Sequence, residues 1–432
     1  MNFEFADYRF DAARGLSRGG EHIHLQPKAR RLLQALLQAD GRVVSKEALF
    51  VAVWGGADAS DESLSRVVFQ LRLAMPSRDA SDLVETLYGA GLRLTVPVRA
   101  QAPERAPPAH IAQTPSSQAA NALLAAREMA ARRSPADLSA AVSSARLAID
   151  ADPTFVAAWA TLAEIQVWQI LRGLRPAREA GPEILDAVRR ALALDPACGP
   201  ALATRGWVRA AIEFKLQAGL TDIDDALAAD PDYWGSYLMR AWVLQAGGRQ
   251  DEAVAMIRRA LELNPAGLSL NGALAIYLLL AGRADEALVK AREDSRRFSS
   301  VDHAQYVAAI VTSSYGQYEE AIEYGRRALA LAPHTPLMHA PLAYALAKAG
   351  EVDEARGLLA VLESQPVPLP ASAAAIYLAL GERSTAVARL VESRHCRQPQ
   401  FVWSRDDPRF AALHGDPRVE ALWAGIVPVR VR

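Results

Sequence analysis

Apolar positions follow two regimes along the chain. In the first hundred residues, short alternating runs mix with helical ones. Phe3-Glu4-Phe5 and Ile23-His24-Leu25 alternate as strands do, and Gly19-Gly20 marks a turn before the second. Pro27 suits the first turn of a helix, where Leu32, Leu33, Leu36 and Leu37 recur at helical spacing until Gly41 stops it. Ser45 caps a second helix whose apolar face is Leu49, Val53 and Trp54. Asp61 opens a third, over 61–75, with Leu64, Val68, Leu71 and Met75 as its core stripe. The runs 83–87 and 92–96 flank Tyr88-Gly89-Ala90-Gly91 and predict a β-hairpin.

Five prolines (Pro97, Pro103, Pro107, Pro108, Pro115) then interrupt both periodicities. Each fixes φ and removes a backbone donor, so a semi-rigid linker is expected. The division read from this is a first domain over 1–98, a linker over 99–117 and a helical array over 118–425.

Beyond the linker the pattern is helical and repeats. Ala253, Ala287, Ala321 and Ala355 are 34 positions apart, and Gly219 extends the series backwards. Gly282, Gly316 and Gly350 keep the same period, and Pro231, Pro265 and Pro333 close units at 34 and then twice 34. Such a unit is a pair of antiparallel helices: small residues where they approach, glycine where they turn, proline where the second stops. The step from Pro153 to Pro196 is longer, at 43, with an insert around 173–181.

Composition narrows the function classes. Residues of the apolar class make up 51% and charged residues 22%, enough for a core and too apolar for a disordered chain. The net charge of -1 excludes a strongly basic coat and an acidic tail. Only two cysteines occur, Cys198 and Cys396, so a zinc ribbon, a Cys-x-x-Cys redox motif and a disulfide framework are not expected. No run reaches the roughly 18–20 apolar residues of a membrane helix, and Met1 to Asp7 does not read as a signal peptide. A cytoplasmic protein with no membrane contact is expected.

The 34-residue period resembles the tetratricopeptide repeat family over about 118–400, some seven or eight helix pairs. Asp406-Asp407-Pro408-Arg409-Phe410 and Asp416-Pro417-Arg418-Val419 resemble the capping helices that end many such arrays. The first hundred residues resemble the OmpR/PhoB-type winged helix-turn-helix, a bacterial DNA-binding domain. That likeness runs through Leu25-Gln26-Pro27-Lys28, Gly41 to Leu49, Val53-Trp54-Gly55, Ser63-Leu64-Ser65-Arg66, Leu71-Arg72 and Glu85 to Leu94. Together the two parts are similar to HilA-type transcriptional regulators. The fold expected is mainly α, a small α+β winged-helix domain followed by an α-solenoid.

On the third helix, Ser65, Arg66, Phe69, Gln70 and Arg72 lie off the core stripe. A helix in the major groove needs bidentate donors for purine edges and cations for phosphates. Arg66 and Gln70, at i and i+4, can serve the first need. The resemblance implies a base-reading position at Gln70, a phosphate-facing one at Arg72, and a wing arginine at Arg93 that approaches the minor groove. Residues 1–100 nevertheless carry 13 Lys+Arg against 12 Asp+Glu. Asp58, Asp61 and Glu62 crowd the start of the third helix, where caps and the helix dipole favour anions. Weak binding by a lone domain follows, so a homodimer or tandem sites are expected.

No catalytic constellation is legible. His22 with His24, His334 with His339, and His395-Cys396 each lack a third ligand, and neither a phosphate loop nor a Gly-x-Ser-x-Gly elbow occurs. The chain therefore reads as no enzyme, with no cofactor and no metal. Trp159, Trp168, Trp207, Trp234, Tyr237 and Trp242 cluster in the first half of the array, where core packing is the expectation for most. An aromatic groove is the alternative. The function read is a sequence-specific regulator binding double-stranded promoter DNA, its array holding a protein partner or small ligand. The rival is an adaptor whose winged helix no longer binds DNA.

Overall fold

The computed structural model describes residues 2–11, 15–18, 21–23, 25–39, 41–54, 60–75, 83–87, 90–96, 98–101, 114 and 116–424. Two units result, Met1–Ala106 and Pro107–Arg432. Several features singled out above lie outside the described residues: Gly19-Gly20, His24, Asp58, Tyr88-Gly89 and the five linker prolines.

In the first unit β1 (Asn2–Phe5), β2 (Tyr8–Asp11), β3 (Gly15–Arg18) and β4 (Glu21–Ile23) precede α1 (Pro27–Gln38), α2 (Lys46–Trp54) and α3 (Asp61–Ala74). After them come β5 (Val84–Leu87), β6 (Gly91–Leu94) and β7 (Val98–Gln101). One antiparallel sheet has the order β4-β3-β2-β1-β7, and β5 pairs with β6 as a separate hairpin. The alternation read at the N-terminus did not include β2 and β3. Ala6, at φ 48, and Asp7 turn the chain in two residues, so that Phe5 pairs with Tyr8 and their rings stack at 5.6 Å. Phe3, Phe5, Tyr8 and Phe10 are all buried, an alternation that the short turn had split in two.

The linker begins later than the composition suggests. Val98–Gln101 is a strand, register-paired with β1 from Phe5↔Val98 to Asn2↔Gln101. It covers backbone groups that would otherwise form an open edge. The helices pack leucines at the predicted spacing: Leu32, Leu33, Leu36, Leu37, Leu49 and Val53 are shut from solvent. On α3, Val67 joins the predicted stripe, which is thus one residue wider.

The second unit is helical. Thr114 Oγ1 donates to Asp152 Oδ2 (2.6 Å), and the Ser116 hydroxyl accepts the Ala119 N–H (3.1 Å) to cap the first helix. Sixteen helices, from Ser117–Arg132 to Arg383–His395, follow as consecutive pairs. Ala253, Ala287, Ala321 and Ala355 are fully buried, as close helix approach requires. Gly282, Gly316 and Gly350 stand at φ 71, 79 and 92 in the turns, a region open to glycine at little cost. The long unit is filled by a longer helix, Ala177–Leu194, with Pro182 inside it.

The closing segment departs from the expected caps. Pro399–Trp403 and Pro408–Leu413 are short 3-10 turns, and only Pro417–Ala424 is an α-helix. The turns reach back to much earlier helices. Gln400 Nε2 donates to the Leu171 carbonyl (3.5 Å), and Gln245 Nε2 donates to Asp406 Oδ2 (3.3 Å). Trp403 packs on Trp242 and Tyr277, ring centroids 5.5 and 5.7 Å away. This ring ties the segment to helices far earlier in the chain, while Arg394 Nη1, donating to the Leu422 carbonyl (2.5 Å), holds it on the last pair as well. Among the described residues no helix is long and apolar enough to cross a membrane.

Candidate nucleic-acid interface

Helix α3 is held at both ends and along one side. The Ser60 hydroxyl accepts the Ser63 N–H (3.3 Å), an N-cap of the usual kind. Leu64, Val67, Val68, Leu71 and Met75 are buried beneath it. The opposite side is thereby forced outwards: Ser65, Arg66 and Phe69 are exposed and Gln70 is half-buried. Phe69 is 66% exposed and Leu73, four residues on, 72%. Two large apolar side chains standing in water on one helix stripe are costly without a partner. Leu73 was not singled out from sequence, although a leucine outside the core stripe is the signal that marks it.

The candidate residues differ in what they already bind. Arg66 forms no ion pair among the described residues. With Gln70 it lines a groove of about 610 Å³ bounded by Gln26, Lys28 and Trp54, where the Lys28 ammonium lies 5.4 Å from the Trp54 ring centroid. Ser65 Oγ donates to the Asp61 carbonyl (2.9 Å), inside its own helix. Arg72 turns towards the hairpin. Its Nε and Nη2 donate to the Val84 carbonyl (3.1 and 2.7 Å), and Nη2 also donates to Thr86 Oγ1 (3.1 Å). It therefore ties α3 to β5, a job that the phosphate-facing reading of Arg72 did not include. Arg93 pairs with Glu85 across the hairpin at 2.6 Å, both about two-fifths exposed. Lys46 pairs with Asp61 at 2.5 Å.

The hairpin is positioned by one close backbone contact. The Val44 N–H donates to the Leu92 carbonyl (2.8 Å) and the Leu92 N–H to the Val44 carbonyl (3.0 Å). Gly91 allows this, because a Cβ there would lie 1.9 Å from the Val44 oxygen, and its φ is 139. The next residue, Ser45, caps α2 by accepting the Ala48 N–H (3.3 Å). Glu47 beside it is held below the usual carboxylate range by its own backbone N–H and by the Ser45 hydroxyl.

The other candidate groups are scattered. His395 Nε2 meets Arg178 Nη1 at 3.3 Å, His339 Nδ1 faces the Pro336 carbonyl at 3.3 Å, and His334 is exposed. Cys198 is buried, which pushes its thiol up to about 11, and it is not bonded to Cys396. Among the described residues no three His, Cys, Asp or Glu side chains are gathered as metal ligands. Trp207 and Trp242 are core, stacked edge-on at 5.8 Å, while Trp159, Trp168, Trp234 and Tyr237 are half-buried.

Comparison with known proteins assigns both parts. Residues 20–94 match the family described as the transcriptional regulatory protein, C terminal, and residues 186–357 match the tetratricopeptide repeat. Over 96 residues the chain is 36% identical to the transcriptional regulators HilA of Salmonella typhi and of Salmonella typhimurium. That stretch is 22% of this chain and 17% of those relatives, so the chain spans less than a fifth of their length. Among solved structures, PilW, a type IV pilus biogenesis factor, is 20% identical with a TM-score of 0.38, covering 52% of this chain and 99% of PilW. The Cut9-Hcn1 hetero-tetramer of APC/C is 14% identical with a TM-score of 0.49, covering 66% of this chain and 55% of that one. The chain thus carries an OmpR/PhoB-type transcription-regulator domain followed by tetratricopeptide repeats, and neither family is enzymatic.

Proposed function

We propose that the chain is a sequence-specific transcriptional regulator. Helix α3 enters the major groove of double-stranded promoter DNA, and the repeat array senses a ligand or recruits a protein. The observation that carries this is the outer face of α3, where Arg66, Phe69 and Gln70 stand outward over a fully buried stripe. The same stretch is similar to regulators named HilA. Arg66 and Gln70 offer donors to base edges, and the Phe69 ring is suited to a thymine methyl. Ser65 reaches a phosphate by releasing Asp61, and Arg93 reaches the minor groove by releasing Glu85. Arg72 acts as a positioning residue that holds the wing. The DNA-binding part runs through Gln101, the linker joins it to an array beginning at Thr114, and promoter binding places the protein in the cytoplasm.

A second reading, an adaptor that has lost DNA binding, is favoured by one observation. Arg93 and Lys46 are each paired with a carboxylate of the same unit, which weakens the positive field offered to phosphates. Selection of fragments from a random DNA pool by the full chain, at low and at high salt, separates the two. The regulator yields one motif, and two spaced half-sites in it identify a dimer. Gln70→Ala and Arg66→Ala then relax the preference at single positions by about 1–3 kcal/mol. Retention of no DNA at low salt leaves the adaptor.

A further inference from the structure

Within the array, the closing segment roofs a chamber of about 190 Å³. Its walls are aromatic: Trp168, Trp207, Trp242, Tyr277 and Tyr306, with Trp403 from the roof. An apolar cavity of about 150 Å³ takes up benzene, so this one admits a ring system with a short substituent.

The walls are not purely apolar. Tyr277 OH, Trp168 Nε1, Trp403 Nε1 and Gln400 Oε1 are buried with no hydrogen-bond partner among the described residues. Tyr277 as a whole is only 2% exposed. Three of these four atoms can donate, and a buried donor left unpaired is an arrangement that a bound acceptor relieves.

The charge beside the chamber has one sign in excess. The Arg133 guanidinium lies over the Trp168 ring, 3.3 Å from its centroid. Its Nε and Nη1 are buried without a partner, as are Nε and Nη1 of Arg172. Arg172 is matched by Asp302 through Nη2, and Arg409 by Asp407 at 2.6 Å. Arg133 has no such carboxylate among the described residues. Glu164 acts on it only from a distance, and that carboxylate accepts the Tyr233 hydroxyl (3.0 Å). His303, lining the chamber and stacked on Tyr306 at 5.7 Å, is neutral near pH 7 and supplies no further cation.

We propose that the chamber binds a small aromatic carboxylate, its ring among the tryptophans and its carboxylate taken by the unpartnered donors of Trp168, Tyr277 and Trp403, while the Arg133 guanidinium stacked on Trp168 supplies favourable charge from outside the lining. The inference rests on the reading of the array as a sensor and names the chemistry sensed. Its test reads binding only, so its failure leaves DNA binding by the first unit untouched.

The experiment titrates the full chain with benzoate, phenylacetate and indole-3-acetate, and with the uncharged amide of each, by calorimetry and thermal shift. At least one carboxylate binds at millimolar concentration, at least about tenfold more tightly than its amide, as one charge-assisted hydrogen bond allows. Ala273→Trp, which fills the chamber, abolishes the binding; Ala273→Leu serves if the larger side chain prevents folding. Arg133→Met brings the carboxylate to the level of its amide. Absence of binding by all three carboxylates overturns the proposal, as does equal binding of acid and amide, or undiminished binding in the filled variants.

Discussion

Replacing Arg72 by alanine separates the positioning role of this side chain from a phosphate contact. In the folded protein its guanidinium makes two hydrogen bonds to the Val84 carbonyl and one to Thr86 Oγ1. Val84 is 1% exposed, so its carbonyl loses a charged donor and gains no ready access to water. Hydrogen bonds to a charged group contribute about 1.5–3 kcal/mol, and about 2 kcal/mol is expected for this half-buried set. A loss of that size raises the local opening constant of the wing about thirtyfold. Hydrogen exchange on the full chain reads it directly, at the amides of Val44 and Leu92 and along β5 and β6. Arg72→Lys keeps the charge but cannot form the fork, so its wing is expected to exchange almost as fast as that of Arg72→Ala. A phosphate contact predicts the opposite: lysine retains most DNA affinity and the wing stays protected in both variants. Unchanged protection in Arg72→Ala refutes the assignment of Arg72 as a tether.

Two further predictions probe other parts of the molecule. Gly91→Ala places a methyl group where the Val44 oxygen lies and demands a backbone angle foreign to alanine; the cost is about 3 kcal/mol or more. Heat should unfold the first unit of this variant earlier, while the far-ultraviolet signal of the helical array keeps its midpoint; an unshifted first transition removes the role given to the Val44–Leu92 contact. For His303, burial first and the Arg172 charge second hold the imidazole at about 4, below its ordinary 6.5. The unfolded chain therefore takes up this proton below pH 6.5 while the folded chain does not until about 4. The contribution of His303 is complete above 6.5 and is lost as pH falls through that window. The array midpoint should drop more steeply between pH 6.5 and 4 in the native protein than in His303→Gln, and parallel slopes contradict it.

Features that depend on local periodicity are legible along the chain. Alanines and glycines repeating every 34 residues specify helix pairs, because close approach and a left-handed turn each admit few residue types. The stripe Leu64, Val68, Leu71 and Met75 likewise placed α3 and its outward residues, since helical spacing alone decides which side chains share a face. Tertiary structure decided what those outward residues touch. Whether Arg72 points to phosphate or to Val84, and whether Arg93 is free or paired with Glu85, depends on where the hairpin docks. That docking joins parts distant in sequence, as in the bridge between Val44 and Leu92, 48 positions apart. The strand Val98–Gln101 was hidden for a similar reason, its partner β1 being the first element of the chain. So was the chamber of the array, where Leu171 meets Gln400 across 229 positions. Superhelical curvature accumulates from small rotations between successive pairs, and no single repeat carries the information that brings these residues together.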